Sequence, residues 1–243
     1  MIIFSDFDHT LYHKNDPILT AANLKAITKW RSKDHQFCIA TGRNYESLTS
    51  VIPDISALCD FYILDSGSII LDSSRTPIAT FVFEPSAIHS IEETTASLPF
   101  DHTLLYYTPD SDSFTPITGQ VTKIRLWFDE SAEELSRIHA RLQGLPAQLF
   151  DCKGENNSHH QELRAFNTFI EFIPNYSGKE KAVRTLAARQ NIAPTDIITV
   201  GDDENDYLMI KEFDGYMIEG SHLHQANSPF KTTPSVAALT QSY

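Results

Sequence analysis

Three short runs of apolar residues each break off into a polar cluster. Ile2–Phe4 runs into Ser5-Asp6, Phe37–Ala40 into Thr41-Gly42-Arg43, and Ile197–Val200 into Gly201-Asp202. The runs are continuous rather than alternating, which suits strands covered on both faces, as in a parallel sheet. Helical spacing lies beside them. In Leu19–Arg31, Leu24 and Ile27 share a face; in Lys179–Gln190, Val183, Leu186 and Ala187 do so. Strands alternating with helices predict an α/β fold, a doubly wound parallel sheet of Rossmann-like type. In such sheets ligands bind beyond the carboxyl ends of the strands. All three polar clusters fall there, so segments far apart in the chain are expected to converge on one edge of one sheet.

The middle of the chain reads differently. Ser68–Phe83 has the pattern of a hairpin, with Asp72-Ser73-Ser74 as its turn. Beyond it the pattern predicts a helix over Ser86–Ser97 and an alternating strand over Val121–Phe128. A second helix is expected over Ser131–Leu142, capped by Ser131 with Glu134 completing a capping box. Thr108–Gly119 and Lys153–His160 are polar and read as loops. Residues 84–165 are therefore expected to form a smaller α/β domain inserted into a core made of 1–83 and 166–243, covering the sheet edge.

Composition narrows the function. The formal net charge of −13 argues against a nucleic-acid partner, which needs a basic face, and against docking on an anionic membrane. It also means that an anionic substrate would need a metal or specific cations to offset the local field. Cys38, Cys59 and Cys152 are scattered and odd in number, without a CxxC spacing, so reduced thiols are expected, Cys38 in a core strand. The chain starts without a basic leader, and no run approaches about 18 continuous apolar residues. A cytoplasmic location is the expectation. Nothing in the sequence fixes the oligomeric state; a monomer is compatible with it.

The polar clusters carry candidate chemistry. In Asp6-Phe7-Asp8-His9-Thr10 two carboxylates at i and i+2, just past a strand end, can converge on one small volume. A divalent cation would relieve their repulsion, and magnesium prefers a few carboxylate oxygens plus a substrate phosphate. One carboxylate could attack phosphorus while the other handles the leaving-group proton. Taken alone, the pair reads more readily as turn aspartates capping a helix. Gly201-Asp202-Asp203-Glu204-Asn205-Asp206 is a second acidic cluster that makes sense around a metal, or as a solvated acidic loop. Thr41-Gly42-Arg43 offers a hydroxyl and flexible amides at a helix start, a seat for phosphate, or an ordinary turn. Ser177 reads as an N-cap with Glu180 completing its box, which puts Lys179 in the first helical turn, against the helix dipole. A lysine there implies something anionic ahead of it; Lys181 reads as a surface lysine.

The order of these clusters is more specific than any one of them. The chain resembles the haloacid dehalogenase-like (HAD) superfamily of phosphatases. Asp6-Phe7-Asp8-His9-Thr10-Leu11 matches its first motif, DxDxT; Thr41 matches the second, Lys179 the third, and Gly201–Asp206 the fourth, GDxxND. The TGR form and the wide gap between the second and third motifs look like the Cof-type subfamily, whose large α/β cap (class IIB) occupies that gap. The resemblance implies that Asp6 is the nucleophile and a metal ligand. It implies that Asp8 is the general acid/base and lends its backbone carbonyl to the metal, with Asp202 completing the protein ligands. Asp206 would orient ligands or waters from behind them. Thr41, Gly42, Lys179, Asn205 and the Phe7 amide would hold the phosphoryl oxygens. The implied cofactor is Mg2+.

Two positions depart from the family pattern. His9 stands where a small residue is usual and reads as a solvent-facing loop residue. Ser66-Gly67 replaces the Asn-Gly found in many relatives. Arg43 would touch phosphate or cap its helix. Arg125 and Trp127 alternate on the expected strand of the inserted domain, where packing on the sheet is the simpler reading. His159-His160 and His222/His224 read as loop histidines rather than a metal site. The expected activity is hydrolysis of a small phosphorylated metabolite, for example a sugar phosphate, through a phosphoaspartyl intermediate on Asp6. The alternatives are a mutase-like phosphotransferase and a phosphometabolite-binding protein without turnover.

Overall fold

The structure, a computed structural model, describes residues 1–117, 119–129, 138, 140–152, 160, 163, 166–221 and 229–243. The expected cap of Ser131 with Glu134, and His159, His222 and His224, lie outside the described residues. The chain divides into two compact units, 1–80 with 177–243, and 81–176.

The first unit begins with β1 (Ile2–Ser5), α1 (Pro17–Arg31), β2 (Gln36–Ala40), α2 (Tyr45–Val51), β3 (Phe61–Leu64), β4 (Ile69–Asp72) and β5 (Pro77–Thr80). The second unit holds α3 (Pro85–Ala96), β6 (His102–Tyr107), β7 (Asp112–Ser113), β8 (Lys123–Phe128), β9 (Ala147–Cys152) and β10 (Thr168–Pro174). The first unit resumes with α4 (Lys179–Gln190), β11 (Ile197–Gly201), α5 (Tyr207–Glu212), β12 (Tyr216–Ile218), β13 (Lys231–Thr233) and α6 (Val236–Leu239).

In the first unit the sheet order is β13-β12-β11-β1-β2-β3-β4-β5. From β13 to β3 all neighbours are parallel; β4 and β5 add antiparallel turns at one edge. Every residue of β1 and β11 is buried, as the continuous apolar runs require. β1 sits between its sequence neighbour β2 and the distant β11, with Ile3 in register with Phe37 and Ile198. The strand order reverses there, which is where doubly wound sheets open a crevice at the strand ends.

Local signals set the helix ends. Asp16 caps α1, its carboxylate accepting from the Leu19 amide at 2.8 Å, and Pro17 fills the first turn. Asn44 caps α2 through the Ser47 amide at 2.8 Å. The edge hairpin closes where its turn residues predict, with Asp72 Oδ1 accepting from the Ser74 and Thr76 amides. Ser177 is not the cap of α4. Gly178 holds that position at φ 132°, with no side-chain cap, and the Ser177 hydroxyl instead accepts from Ser68 Oγ at 3.2 Å. The reason is steric: Gly67 packs directly on the Gly178 carbonyl and the Lys179 amide, leaving no room for a Cβ.

In the second unit the order is β7-β6-β8-β10-β9, all antiparallel. Ile88 and Ile91 of α3 join Ile124, Leu126, Phe128, Ile170 and Phe172 in one buried cluster. Trp127 is buried from the opposite side of β8, with Leu105, Tyr107 and Leu163. The return to the first unit comes at Ser177, later than the expected 166, because β10 pairs with β8 and β9. Thr108–Gly119, expected as loop only, contains the two-residue strand β7.

Asn23 joins three elements of the first unit. It is fully buried in α1, and its amide donates to the carbonyls of Thr10 (3.3 Å) and Leu11 (3.1 Å) in the turn after β1. Its carbonyl accepts from the Ala237 amide of α6 at 2.9 Å. Replacing it by leucine would leave backbone groups buried without partners. Asn23→Leu is expected to lower stability by about 2–4 kcal/mol, read as a lower urea midpoint with an unchanged slope. A midpoint equal to wild type would show that the turn holds without this clamp.

Candidate active site

Asp6, Asp202 and Asp206 come together at the ends of β1 and β11. The Asp6 amide donates to the Val200 carbonyl at 2.9 Å, extending the strand pairing by one residue and fixing where its carboxylate starts. Gly201 ends β11; a Cβ there would fall on the Asp206 carboxyl group, so only glycine admits that carboxylate so close to the strand. The Asp202 and Asp203 amides both donate to Asp206 Oδ2, at 3.1 and 3.2 Å, closing a tight turn.

Lys179 lies between the two strand ends. Its ammonium donates to Asp6 Oδ1 at 2.7 Å, to Asp206 Oδ1 at 2.6 Å and to Asn205 Oδ1 at 3.2 Å. The side chain has no exposed surface. A lysine three donors strong and dry on all sides needs three acceptors, and it has them. Burial acts to lower its proton affinity, but the charges of Asp206 and Asp6 and their hydrogen bonds outweigh this and hold it above the ordinary lysine value.

The carboxylates outnumber the lysine. Burial pushes Asp6 well above the usual carboxylate range; Lys179 pulls it down, while Asp206, Asp202 and Asp8 push it up further. Asp202 is pushed up to about 7, first by burial and then by the Asp206 charge, against a short hydrogen bond from Thr10. That bond, Thr10 Oγ1 to Asp202 Oδ1, is 2.5 Å and links the first acidic motif to the last. One carboxylate oxygen of each of Asp6, Asp202 and Asp206 lies within 4.8 Å of the others, a group that could hold a metal ion. Both Asp206 oxygens already accept from Lys179 and the backbone. Asp6 and Asp202 each keep one oxygen that accepts no hydrogen bond among the described residues, so the donor set fits a cation that binds these two.

Asp8 is placed apart from this group. Its carboxylate, half-exposed, meets the Arg43 guanidinium edge-on, Nε to Oδ2 at 2.7 Å and Nη2 to Oδ1 at 2.8 Å. Arg43 thus caps no helix; Asn44 does. Thr41 follows the last residue of β2, beside β1. Its amide donates to Ile63, its carbonyl accepts from Ser66 at 3.0 Å, and its hydroxyl accepts from the Arg43 amide at 3.2 Å. Gly42 follows it, half-buried. The Phe7 ring is buried and stacks on Tyr12 at 5.4 Å, and the Phe7 carbonyl accepts from the Leu11 and Tyr12 amides.

The two departures from the motif have local explanations. His9 is exposed at φ 59°, a turn residue as expected. Ser66 is buried at φ 54° between Asp65 at φ 48° and Gly67 at φ 101°. A left-handed backbone favours glycine and asparagine, which accounts for the Asn-Gly usual there. The roles of Thr10, Asn23 and the Gly67–Gly178 contact were not legible beforehand; only the T of the DxDxT pattern hinted at the first. Lys181 has a third of its side chain exposed, 3.9 Å from Glu180. In the second unit Arg125 packs over Tyr107 and Phe169 and pairs with Glu171 at 3.0 Å, and His160 Nε2 lies 2.8 Å from Asp112. Among the described residues no helix is long and apolar enough to cross a membrane.

Comparison with known proteins bears on the family and the fold. The family model described as haloacid dehalogenase-like hydrolase matches residues 3–112 and 98–219. An uncharacterized protein of Mycoplasma capricolum subsp. capricolum is 22% identical, over 90% of this chain and 91% of its own. Among solved structures, the chain is similar to BT4131, described as a HAD subclass IIB sugar phosphatase (14% identity, 99% of this chain and 96% of that one, TM-score 0.75). It is also similar to BT1666 from Bacteroides thetaiotaomicron, of the phosphatases of that superfamily (16%, 99% and 92%, TM-score 0.74). A third is TM0651 from Thermotoga maritima (20%, 100% and 97%, TM-score 0.73). At these identities the structural likeness is one of fold. The family match covers most of the chain, which belongs to the haloacid dehalogenase-like hydrolases.

The raised Asp202 carboxyl sets a pH dependence. The folded state holds this proton more tightly than the unfolded chain, so it is favoured at low pH. That advantage fades as pH rises from the ordinary carboxylate value near 3.8 to about 7, where the buried group ionises. In EDTA, Asp202→Asn is expected to be more stable than wild type at pH 7.5 by on the order of 1–3 kcal/mol, with the gap closing at pH 4.5. Thermal unfolding at both pH values checks this; a gap independent of pH would contradict the raised carboxyl.

Proposed function

We propose that this haloacid dehalogenase-like hydrolase is a magnesium-dependent phosphatase that hydrolyses a small phosphorylated metabolite, such as a sugar phosphate, by way of a phosphoryl group on Asp6. The observation that carries this reading is the buried Lys179 ammonium held between Asp6 and Asp206, with Asp202 beside them. Pure binding of an anion has no need of a buried carboxylate facing it; a nucleophile does.

Asp6 and Asp202, with the Asp8 backbone carbonyl, would hold Mg2+, which suits a small set of oxygen donors. When bound, the ion would supply positive charge against the phosphoryl oxygens and keep Asp6 ionised. The other work falls to the chain. Asn205, Thr41 and the Phe7 and Gly42 amides, with Lys179 turning one donor away from its present acceptors, bind the three equatorial oxygens, where charge gathers in the transition state. Asp206 holds Lys179 and the Asp202 turn in place. An oxygen of Asp6 attacks phosphorus, the bond from phosphorus to the ester oxygen breaks, and Asp8 delivers a proton to that oxygen as it leaves. Water then attacks the phosphoaspartate at phosphorus and gives its proton to Asp8. The bond to Asp6 breaks, and inorganic phosphate is released, leaving Asp6 ionised and Asp8 protonated as at the start. Selection among leaving groups is assigned to the unit 81–176, the counterpart of a subclass IIB cap. The likeness in fold to BT4131, a HAD subclass IIB sugar phosphatase, supports the substrate class.

The test is phosphate release from p-nitrophenyl phosphate with Mg2+ and with EDTA. Release that needs Mg2+ and falls at least about a thousandfold in Asp6→Asn is the expected result. Undiminished release in Asp6→Asn would rule out the covalent route. Mg2+-dependent binding of phosphometabolites without any release would make the chain a binding protein, and transfer of phosphate between sugar positions would make it a mutase.

A further inference from the structure

Arg43 faces Asp8 and not the Lys179 cluster. Two of its nitrogens take both Asp8 oxygens, and the third, Nη1, donates to Ser47 Oγ at 2.9 Å. Its guanidinium carbon stands 5.5 Å from the centroid of the Phe7 ring. Its backbone is held from both sides, the amide on the Thr41 hydroxyl and the carbonyl by the Asp65 amide at 3.1 Å. The fork is therefore fixed before Asp8 meets it.

Asp8 needs such a fixture. Its side chain is 40% exposed and follows a strand end into a turn whose next residue has a left-handed backbone. A pair this exposed adds little stability, since water and salt screen it. What a bidentate guanidinium contact adds is direction: it fixes the plane of the carboxylate as a lysine cannot. A proton donor must lie within hydrogen-bond reach of the atom it serves, so direction is what its chemistry requires.

We propose that Arg43 is a positioning residue that aims Asp8 at the leaving group, a role that rests on the phosphatase reading above. In the step concerned, Asp8 keeps both contacts with Arg43 and passes a proton carried on the outward side of one oxygen to the ester oxygen. That oxygen takes the electron pair of the breaking phosphorus–oxygen bond and departs as the alcohol. Ser47 and the Phe7 ring hold the guanidinium while this happens. Arg43 acts on phosphate only through Asp8.

The discriminating measurement is kcat/KM for p-nitrophenyl phosphate and for phenyl phosphate, two esters of nearly the same shape. The nitrophenolate leaves without a proton, whereas the phenolate needs one. Arg43→Ala is expected to lose about tenfold or more on phenyl phosphate and less than about threefold on the nitrophenyl ester, with Arg43→Lys in between. On an Asp8→Asn background the Arg43→Ala loss should vanish, because the two residues act as one unit. Equal losses on both esters would overturn the proposal in favour of a phosphate contact or a structural role. So would no loss on either ester, or a full further loss on the Asp8→Asn background. Unchanged thermal unfolding of Arg43→Ala is expected and keeps a folding defect out of the comparison. Wild type inactive on both esters would overturn the phosphatase reading itself, and Arg43's role with it.

Discussion

The Lys179 ammonium, with no exposed surface, lies 2.7 Å from Asp6 and 2.6 Å from Asp206. Burying an unpaired charge costs several kcal/mol, and this contact removes that cost for one cation and two anions together. It joins the end of β1 to the turn after β11 through the first turn of α4. Three segments distant in the chain are held at one point. The balance is incomplete: two carboxylates already outnumber the one ammonium, and Asp202 adds a third buried carboxylate. Burial first, and then the excess of negative charge, make Asp6 and Asp202 favour their protons, and with Asp206 they form a group that could hold a metal ion.

Backbone shape makes that contact possible. Gly67 lies so close to the Gly178 carbonyl and the Lys179 amide that the loop after β3 could carry no side chain there, and this packing sets where Lys179 begins its helix. Gly201 does the same for Asp206. The three left-handed residues from Asp65 to Gly67 turn the chain sharply after β3, and the Ser66 amide ties that turn to Thr41. The cluster of charges is thus held by close backbone approach as much as by its own attraction.

Charge pairs serve different ends in different places. The Lys179 group is dry and rigid. The Arg43–Asp8 pair is wet and directional, and it sits on a turn that Asn23 anchors from below through Thr10 and Leu11. In the second unit Lys123 and Glu171 are both buried, 3.9 Å apart, with Arg125 closing on the same carboxylate and Tyr107 under the lysine at 4.2 Å. There the charges lie among aromatic rings on one side of a sheet, away from the apolar cluster that includes α3.

Continuous apolar runs determined the parallel strands, and their abrupt polar ends determined where polar groups would gather. Both signals are local: a strand buried on two faces cannot alternate, and a carboxylate cannot sit inside it. The identity of Asp6, Lys179, Asp202 and Asp206 as a group was legible from the order of motifs. Their mutual contacts, and every role in turnover, were not in the pattern. Nor were the partners of Asp8 and Asn23, at separations of 35 and up to 214 residues. The cap of α4 departs from the local signal Ser177-x-x-Glu180, which is overridden by Gly67, 110 residues earlier. The boundary at Ser177 was likewise settled by the pairing of β10. The sequence by itself determines which segments must be buried and which groups cannot be. Only the tertiary structure decides which of those groups meet, because a hydrogen bond or a close backbone contact depends on distances that spacing along the chain does not specify.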